Sequence, residues 1–313
     1  MSSNPSEVVI VLNPNASTAG FDERRIEGLR AIAGSRAVLF VTEERDLVDA
    51  VIEGARERGV QTIGIIGGDG SVSFVLSALY RTYGTTTLPR IALLRGGTMN
   101  TIANSLGVRR GTPEDLLRRL LANRATPFVE RNTVEVEDRL GFLFCTGAMV
   151  GFLQVLYDSD KSERGPLAAL KLLARGSWQA FAGGDLAERI EKPLIATMKI
   201  DSEVHPERRY VTIGAATIDQ VGLGFRAFPR VAEGRDQFQV FAFHGSLQSL
   251  ARQLPRLRRG LPVVKGLGFE PLAKLLELQT EGVPITYALD GDIHQTSSNI
   301  SVAIGPRVQV HLV

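Results

Sequence analysis

Cysteine is almost absent from this chain of 313 residues, because Cys145 is the only one. A single cysteine excludes an internal disulfide framework and the metal sites that need several thiolates. Histidine is also scarce, and His205, His244, His294 and His311 lack the spacing typical of metal ligands. We therefore expect the histidines to be surface or packing residues.

Long apolar runs and a strong net charge are missing as well. No stretch approaches the roughly 20 apolar residues of a membrane-spanning helix, and residues 1–7 lack the apolar core of a signal peptide. The net charge is only +2 at pH 7, so global electrostatics gives no case for a nucleic-acid partner. We expect a cytoplasmic protein without a transmembrane segment, with or without peripheral contact to the inner membrane face.

The first part of the chain alternates strand and helix patterns. The predicted strands are 8–12, 37–42, 63–66 and 91–94, and the predicted helices are 24–33, 46–58 and 112–123. Repeated β–α units predict a mostly parallel sheet that helices cover on both faces. We predict one α/β domain over residues 1–126.

The pattern changes near Thr126-Pro127, where serial strands replace the alternation. The predicted strands are 131–137, 141–145, 194–200, 210–216, 238–243, 285–289, 300–304 and 308–312. Serial strands predict a β-sandwich or an antiparallel barrel, which we place over residues 127–313. One helix, over residues 165–181, is expected to interrupt this second domain. The last residues of the second domain are open to a return to the first domain.

A glycine turn between a buried strand and a helical stripe is the most informative motif. It reads Gly67-Gly68-Asp69-Gly70-Ser71. Glycines let the backbone approach a ligand closely, and a helix N-terminus presents N–H groups to an anion. A carboxylate beside a polyphosphate repels it unless a metal ion or a proton transfer needs the carboxylate there. Asp69 therefore indicates phosphate chemistry with Mg²⁺.

A second glycine turn follows the next predicted strand and reads Gly96-Gly97-Thr98-Met99-Asn100. The Thr98 hydroxyl and the Asn100 amide are able to hydrogen-bond phosphate oxygens or metal-bound water. A helix N-cap is the simpler interpretation of these two residues taken alone. Because both glycine turns follow strands of one sheet, we favour a shared nucleotide site.

Two further turns carry polar residues. Asn13-Pro14 ends the first strand, and a plain turn explains it unless three strand ends converge at one crevice. Asp290-Gly291-Asp292 places two carboxylates around a glycine, which fits a hairpin as well as a functional site. Local sequence leaves both alternatives open.

Two basic, amphipathic segments are candidates for a membrane interface, residues 165–181 and 246–265. The first combines an apolar face with Lys171 and Arg175. For each segment taken singly, we favour a helix packed on the sandwich with solvated charges.

Together these motifs resemble the diacylglycerol kinase catalytic-domain family, which includes bacterial lipid kinases, sphingosine kinases and ceramide kinases. The resemblance covers nearly the whole chain. The matching segments are Asn13-Pro14, Gly67 to Ser71 with Ser71 in place of the usual Thr, Gly97-Thr98-Met99-Asn100, Gly165-Pro166-Leu167, and Asp290-Gly291-Asp292 with Asp in place of Glu.

The resemblance implies a three-layer α/β domain plus a β-sandwich domain for the lipid, with the active site in the cleft between them. It also implies transfer of the γ-phosphoryl group of ATP, with Mg²⁺, to a hydroxyl of diacylglycerol or a similar lipid alcohol at a membrane surface. The implied nucleotide-binding residues are Asn13, Pro14, Thr42, Gly67, Gly68, Asp69, Gly70, Ser71, Gly97, Thr98 and Asn100.

Three carboxylates receive roles from the same resemblance. Asp290 would accept the hydroxyl proton with support from Asp292, and Asp69 is the second candidate for this base. Asp69 and Asp292 are the implied metal ligands. Two departures count against a full match: Thr101 stands where many relatives carry Asp, and Arg95 replaces a common Pro.

Two alternative functions stay open. An NAD kinase-like small-molecule kinase shares the Gly-Gly-Asp-Gly turn, and a catalytically impaired nucleotide-binding regulator would tolerate Thr101. Residues 233–240 also depart from the pattern of bacterial relatives, so we expect a structural Mg²⁺ site known in part of the family to be altered or absent. The sequence leaves a homodimer open.

Overall fold

The structure is a computed structural model that describes residues 8–16, 20–42, 45–84, 86–122, 126–158 and 165–313. The chain forms two compact units. Unit 1 comprises Met1–Arg131, Asp138–Leu140 and Pro306–Val313, and unit 2 comprises Asn132–Glu137 and Gly141–Gly305. The predicted division at Thr126-Pro127 falls shortly before the first segment of unit 1 ends.

The elements are numbered in chain order. The strands are β1 (Val8–Leu12), β2 (Ala37–Val41), β3 (Thr62–Ile66), β4 (Arg90–Leu93), β5 (Phe128–Val136), β6 (Arg139–Gly141), β7 (Leu143–Gly147), β8 (Leu194–Ile200), β9 (Glu203–Tyr210), β10 (Thr212–Ala216), β11 (Phe238–Phe243), β12 (Gly268–Phe269), β13 (Leu272–Ala273), β14 (Leu275–Gln279), β15 (Ile285–Leu289), β16 (Asp292–Thr296) and β17 (Asn299–His311). The helices are α1 (Glu23–Ala33), α2 (Arg45–Glu57), α3 (Asp69–Tyr83), α4 (Thr101–Ser105), α5 (Pro113–Ala122), α6 (Ala148–Asp158), α7 (Pro166–Ala182), α8 (Asp185–Ile190) and α9 (Leu247–Arg258).

Unit 1 is built on a parallel sheet with the strand order β2-β1-β3-β4-β17. Each neighbouring pair in this order runs parallel. Every residue of β3 is buried, as expected for a central strand that elements cover on both faces. Helix α1 packs with α5, and α2 packs with α3. The predicted mostly parallel α/β architecture is confirmed.

Unit 2 contains two antiparallel arrangements, β17-β14-β8-β9 and β12-β11-β10-β7-β15-β16. Buried side chains from both join one apolar core, including Met198 and Val302 from the first and Phe144 and Val240 from the second. Every second residue of β8 is buried, because alternate side chains of a strand point to the same face and this face packs inward. The predicted sandwich-like all-β part of the chain is confirmed.

Unit 2 has more helix than the sequence indicated. Sequence patterns predicted one clear helix there and favoured a second within residues 246–265, where the structure has α9, and the structure adds α6 and α8. Helix α6 is apolar almost all round, so it lacks the polar face that makes helical periodicity visible. Helix α9 lies in the segment 246–265, for which a packed helix was the favoured interpretation, although it contains Pro255, which argues against a helix interior.

Strand β17 is also longer than expected. Two separate strands were predicted, at 300–304 and 308–312. The backbone instead stays extended from Asn299 to His311. Between Gly305 and Pro306, within this strand, the chain passes from unit 2 to unit 1. Within the described ranges, no helix is long and apolar enough to cross a membrane.

Candidate functional site

The carboxyl ends of β1, β2 and β3 lie side by side in unit 1. The Asn13 N–H donates to the carbonyl oxygen of Ile66 at 2.9 Å, and the Thr42 N–H donates to that of Leu12 at 2.9 Å. The parallel register thus brings the loops after these strands to one edge of the sheet. This edge is where open α/β sheets bind ligands.

The two glycine turns, after β3 and β4, touch through their backbones. A Cβ atom on Gly97 would lie 2.4 Å from the Gly68 Cα, and one on Gly96 would lie 2.6 Å from the Gly67 nitrogen. Neither position has room for a side chain. Glycine is therefore required at this junction by the close approach of two backbones.

Asp69 joins the same two loops through hydrogen bonds. It is the first residue of α3, and its carboxylate accepts the N–H of Thr101 through Oδ2 at 2.9 Å and that of Ile102 through Oδ1 at 3.0 Å. These donors belong to the first turn of α4, whose amides have no acceptor within their own helix. Asp69 thus caps α4 from the neighbouring loop.

Burial acts against the negative charge of Asp69. It raises the pKa of this carboxyl above its ordinary value, while the amides of Ile102 and Thr101 and the charge of Arg95 oppose the rise. The carboxylate is partly buried, and two backbone donors hold its charge. A partly buried carboxyl group with a shifted pKa is a frequent mark of a functional site.

The first turn of α3 has backbone donors available at the same edge. Gly68 occupies the N-cap, and no side chain in the described part of the chain caps the helix. Asn13 reaches this turn, because its Nδ2 donates to the Ser71 Oγ at 3.0 Å. The Asn13 Oδ1 in turn accepts the N–H of Asn15 at 3.0 Å, which stabilises the turn that contains Pro14.

Asn100 closes the second glycine turn rather than capping α4. It stands at the N-cap with φ of 48° and makes no side-chain cap with the residues described. Its Nδ2 donates to the Gly97 carbonyl at 2.7 Å, and its Oδ1 accepts the Gly97 N–H at 3.2 Å. The simple cap interpretation of Asn100 is therefore wrong, because Asp69 performs that role. Thr98 lies between Gly97 and Asn100 in the chain and is partly exposed.

Arg95 positions the second turn from the opposite side. Its guanidinium donates to the carbonyl oxygens of Arg109 and Val108 at 2.7 and 2.6 Å and to the Asn104 Oδ1 at 2.8 Å. The backbone of Arg95 has φ of 49°, a conformation uncommon outside glycine. Sequence reasoning noted Arg95 only as a departure and missed Asn104, whose one signal was its position a helical turn after Asn100.

Thr42 lies at the same sheet edge but is buried. Its Oγ1 donates to the Leu12 carbonyl oxygen at 3.3 Å, a contact within the sheet end. The structure therefore brings Asn13, the Gly67–Ser71 turn and the Gly97–Asn100 turn together. It places Thr42 beside them with its hydroxyl turned to the backbone.

Asp290 and Asp292 belong to unit 2, where Asp290-Gly291 forms the turn of the β15–β16 hairpin. Asp290 has φ of 50° and Gly291 has φ of 94°, as the hairpin signal predicts. The Asp290 side chain is 6% exposed, and its carboxylate accepts the amides of Phe142 and Leu143 at 2.9 to 3.1 Å. Asp292 is partly buried and pairs with Leu289 across the hairpin.

A second aspartate in unit 2 repeats the backbone arrangement of Asp290. Asp201 has φ of 51° in the β8–β9 turn, and its Oδ1 accepts the amides of Lys274 and Leu275, each at 2.9 Å. A carboxylate that anchors a hairpin turn to a neighbouring strand is thus a structural device that unit 2 uses twice. The contacts of Asp290 alone do not identify a catalytic group.

Cys145 lies near Asp290 in the core of unit 2. Burial, followed by the Asp290 charge, raises the pKa of its thiol to about 12. The thiol therefore stays protonated at neutral pH and is a poor nucleophile. This argues against cysteine-based chemistry in the chain.

The donor set of unit 1 fits a nucleotide better than a bare metal. Across the residues that the structure describes, no three His, Cys, Asp or Glu side chains cluster as metal ligands. Mg²⁺ is commonly held by one or two carboxylates plus substrate phosphates. Asp69 supplies one carboxylate beside the backbone donors of α3, so the arrangement is compatible with a metal ion that arrives with the phosphates.

The chain is similar in sequence to known proteins. Residues 7–129 match the diacylglycerol kinase catalytic domain. The chain is 26% identical to a protein of Xanthomonas oryzae pv. oryzae (strain MAFF 311018) named "Probable lipid kinase YegS-like", over 98% of this chain and 96% of the relative. A protein of the same name from strain KACC10331 matches to the same extent.

The fold is similar to that of a solved structure as well. A diacylglycerol kinase from Bacillus anthracis str. Sterne aligns with a TM-score of 0.67 at 14% identity, over 98% of this chain and 96% of that one. At this identity the likeness shows the fold. The predicted family resemblance and the predicted fold class are confirmed.

The contact between the glycine turns gives a first prediction. Gly97→Ala places a methyl group against the Gly68 backbone, so the loops must separate and the free energy of unfolding should fall by about 1–3 kcal/mol. Gly54→Ala in α2 is the control, because its Cβ would meet only the flexible end of Arg58 at 3.7 Å. We expect the control to be more stable by about 0.5–1 kcal/mol. Equal stability of the two variants in urea unfolding would contradict the contact.

The raised pKa of Asp69 gives a second prediction. Stability associated with this group is fully present below the unfolded pKa, near 3.8, and is lost as the pH rises through the folded value. The unfolding free energy of the wild type relative to Asp69→Asn should therefore fall with rising pH. Asp138→Asn at an exposed turn keeps Asp69 and should keep the wild-type pH profile. A difference that grows with pH would show that the pKa is lowered instead.

Proposed function

We propose that this chain, a member of the diacylglycerol kinase catalytic-domain family, transfers the γ-phosphoryl group of ATP to a hydroxyl of a lipid alcohol. The preferred acceptor is diacylglycerol or a close analogue. The family match and the relatives named as lipid kinases support this reaction class. The proposed setting is the cytoplasmic face of a membrane, with peripheral contact and a role in phospholipid metabolism.

The junction of the two glycine turns is the observation that carries the nucleotide part of the proposal. Gly97 approaches Gly68 with no room for a side chain at position 97, and the uncapped first turn of α3 begins at the same point. Backbone N–H groups of such a turn are good donors to phosphate oxygens. Asn13 and Ser71, joined by their own hydrogen bond, would border the phosphates.

Asp69 has two tasks in this proposal. Its carboxylate already holds α4, and each oxygen has a further lone pair that is able to face a metal ion or a metal-bound water. A bound Mg²⁺ would neutralise charge on the phosphates during transfer. Asp69 would hold the Mg²⁺ ion in position, while Arg95 keeps the neighbouring turn in place.

Asp290 is the first candidate for the residue that accepts the proton of the lipid hydroxyl, and Asp292 would support it. Asp69 remains the second candidate. A carboxylate acting as general base contributes about 10²–10⁴-fold to the rate. Asp290 anchors a hairpin turn, as Asp201 does in another hairpin. The test must therefore measure stability and catalysis separately.

The direct test is phosphoryl transfer from labelled ATP. Separate reactions contain detergent-dispersed diacylglycerol, detergent-dispersed ceramide or NAD, and the products are resolved by chromatography. We expect label in phosphatidic acid, and we expect Asp69→Asn to remove it while Asp138→Asn does not. Label only in phosphorylated NAD would contradict a lipid kinase, and ATP binding without turnover on any acceptor would indicate an impaired regulator.

The role of Asp290 is tested against its structural counterpart. Asp290→Asn should lower kcat by about 10²–10⁴-fold with little change in the KM for ATP, because the base acts in the chemical step. Asp201→Asn retains the accepting oxygen of the second hairpin and should keep kcat within about twofold. If Asp290→Asn loses unfolding free energy but keeps kcat per folded molecule, Asp290 is a hairpin anchor and the base lies elsewhere.

A further inference from the structure

Helix α7 in unit 2 exposes large apolar side chains instead of burying them. Leu167 is 75% exposed, Trp178 73%, Leu170 49% and Phe181 47%. At about 100° per residue, these four positions and Ala174 fall within an arc of roughly 80°. A contiguous apolar stripe of this kind on a folded domain marks an interaction site. We call this stripe the α7 face.

The inward side of α7 is lined by small residues. Ala169 is fully buried, and Gly176 packs so closely on α8 that a Cβ there would lie 2.7 Å from the Ile190 Cδ1. Ala180 is buried on the same side. The helix thus buries small residues, packs Leu172 partly against the core, and leaves the four large apolar residues of the α7 face exposed. Packing of unit 2 does not account for leucine, tryptophan and phenylalanine on the outer side.

The charges on α7 and α9 have one sign. Lys171 and Arg175 are exposed on α7, and the helix contains no acidic residue. From α9, Arg252 places its guanidinium 5.1 Å from the centre of the Phe181 ring. Residues 247–268, which include α9, contain five basic residues and no acidic one. A surface with apolar side chains in the middle and cations at the rim is complementary to anionic headgroups above acyl chains.

We propose that the α7 face, with Lys171, Arg175 and Arg252 at its rim, seats unit 2 on a bilayer that contains anionic lipids. The inference rests on the proposed function, which requires the chain to reach an acceptor in a membrane. The stripe would enter the headgroup region in the plane of the bilayer, consistent with the absence of a spanning helix among the described residues. A second copy is a less suitable occupant, because a symmetric contact would bring one basic rim against another.

The chain contains its own reporter for this contact, since Trp178 is its only tryptophan. Vesicles of equal parts phosphatidylcholine and phosphatidylglycerol should shift Trp178 fluorescence to shorter wavelength, and brominated acyl chains should quench it. Vesicles of phosphatidylcholine alone should bind more weakly. An unchanged spectrum with the mixed vesicles would overturn the proposal.

Variants that keep Trp178 separate the two parts of the surface. Leu167→Gln with Leu170→Gln should weaken vesicle binding by at least about tenfold through lost apolar burial. Lys171→Gln with Arg175→Gln should weaken it by about fivefold for each charge. Val283→Gln and Lys274→Gln alter exposed residues elsewhere in unit 2 and serve as the controls. Equal loss in the variants and controls would overturn the proposal.

Failure of docking is distinguishable from failure of the kinase function. With a short-chain, water-soluble diacylglycerol, the leucine pair variant should retain turnover while it loses turnover of long-chain diacylglycerol in vesicles. A fluorescence shift with no lipid phosphorylated would support docking and reject the kinase. Turnover from vesicles without a fluorescence shift would reject docking. A change from dimer to monomer in sedimentation, with vesicle binding unaffected, would assign the α7 face to a second copy instead.

Discussion

The hydrogen bonds from the first turn of α4 to the Asp69 carboxylate are the constraint on which the rest of the site depends. They connect the loop after β3 to the loop after β4, at distances of 2.9 and 3.0 Å. The glycines at 96 and 97 are required because this connection brings the two backbones together. The burial that results raises the Asp69 pKa, so geometry and electrostatics at this edge have one origin.

Much of unit 1 was predictable because its strands are short, continuous apolar runs, and because β1 and β3 end directly before Asn13 and Gly67. Such runs are typical of buried parallel strands, and β1 to β4 lie close to their predicted positions. Unit 2 was harder to predict for physical reasons. Helix α6 has no polar face, α9 contains a proline, and β17 stays extended through Gly305-Pro306, where local sequence indicates a break.

The candidate site was predictable as a set of loops but not as a set of contacts. The residues themselves favoured a shared site for Asp69 and the glycines at the carboxyl edge of one sheet and left the role of Asn13 open. It gave no means of knowing that Asp69 caps α4, since the donors Thr101 and Ile102 are distant in sequence. The hairpin interpretation and the catalytic interpretation of Asp290 also remain compatible, because its turn occurs again at Asp201 without any family motif.

Hydrogen–deuterium exchange with and without ATP tests the central claim most directly. If the joined glycine turns hold the phosphates, ATP should slow exchange in residues 67–72 and 96–102 together, because both loops and the first turn of α3 contribute to one site. Asp69→Asn should weaken both changes in parallel. Slowed exchange in only one of these segments, or only in segments far from both, would contradict the account.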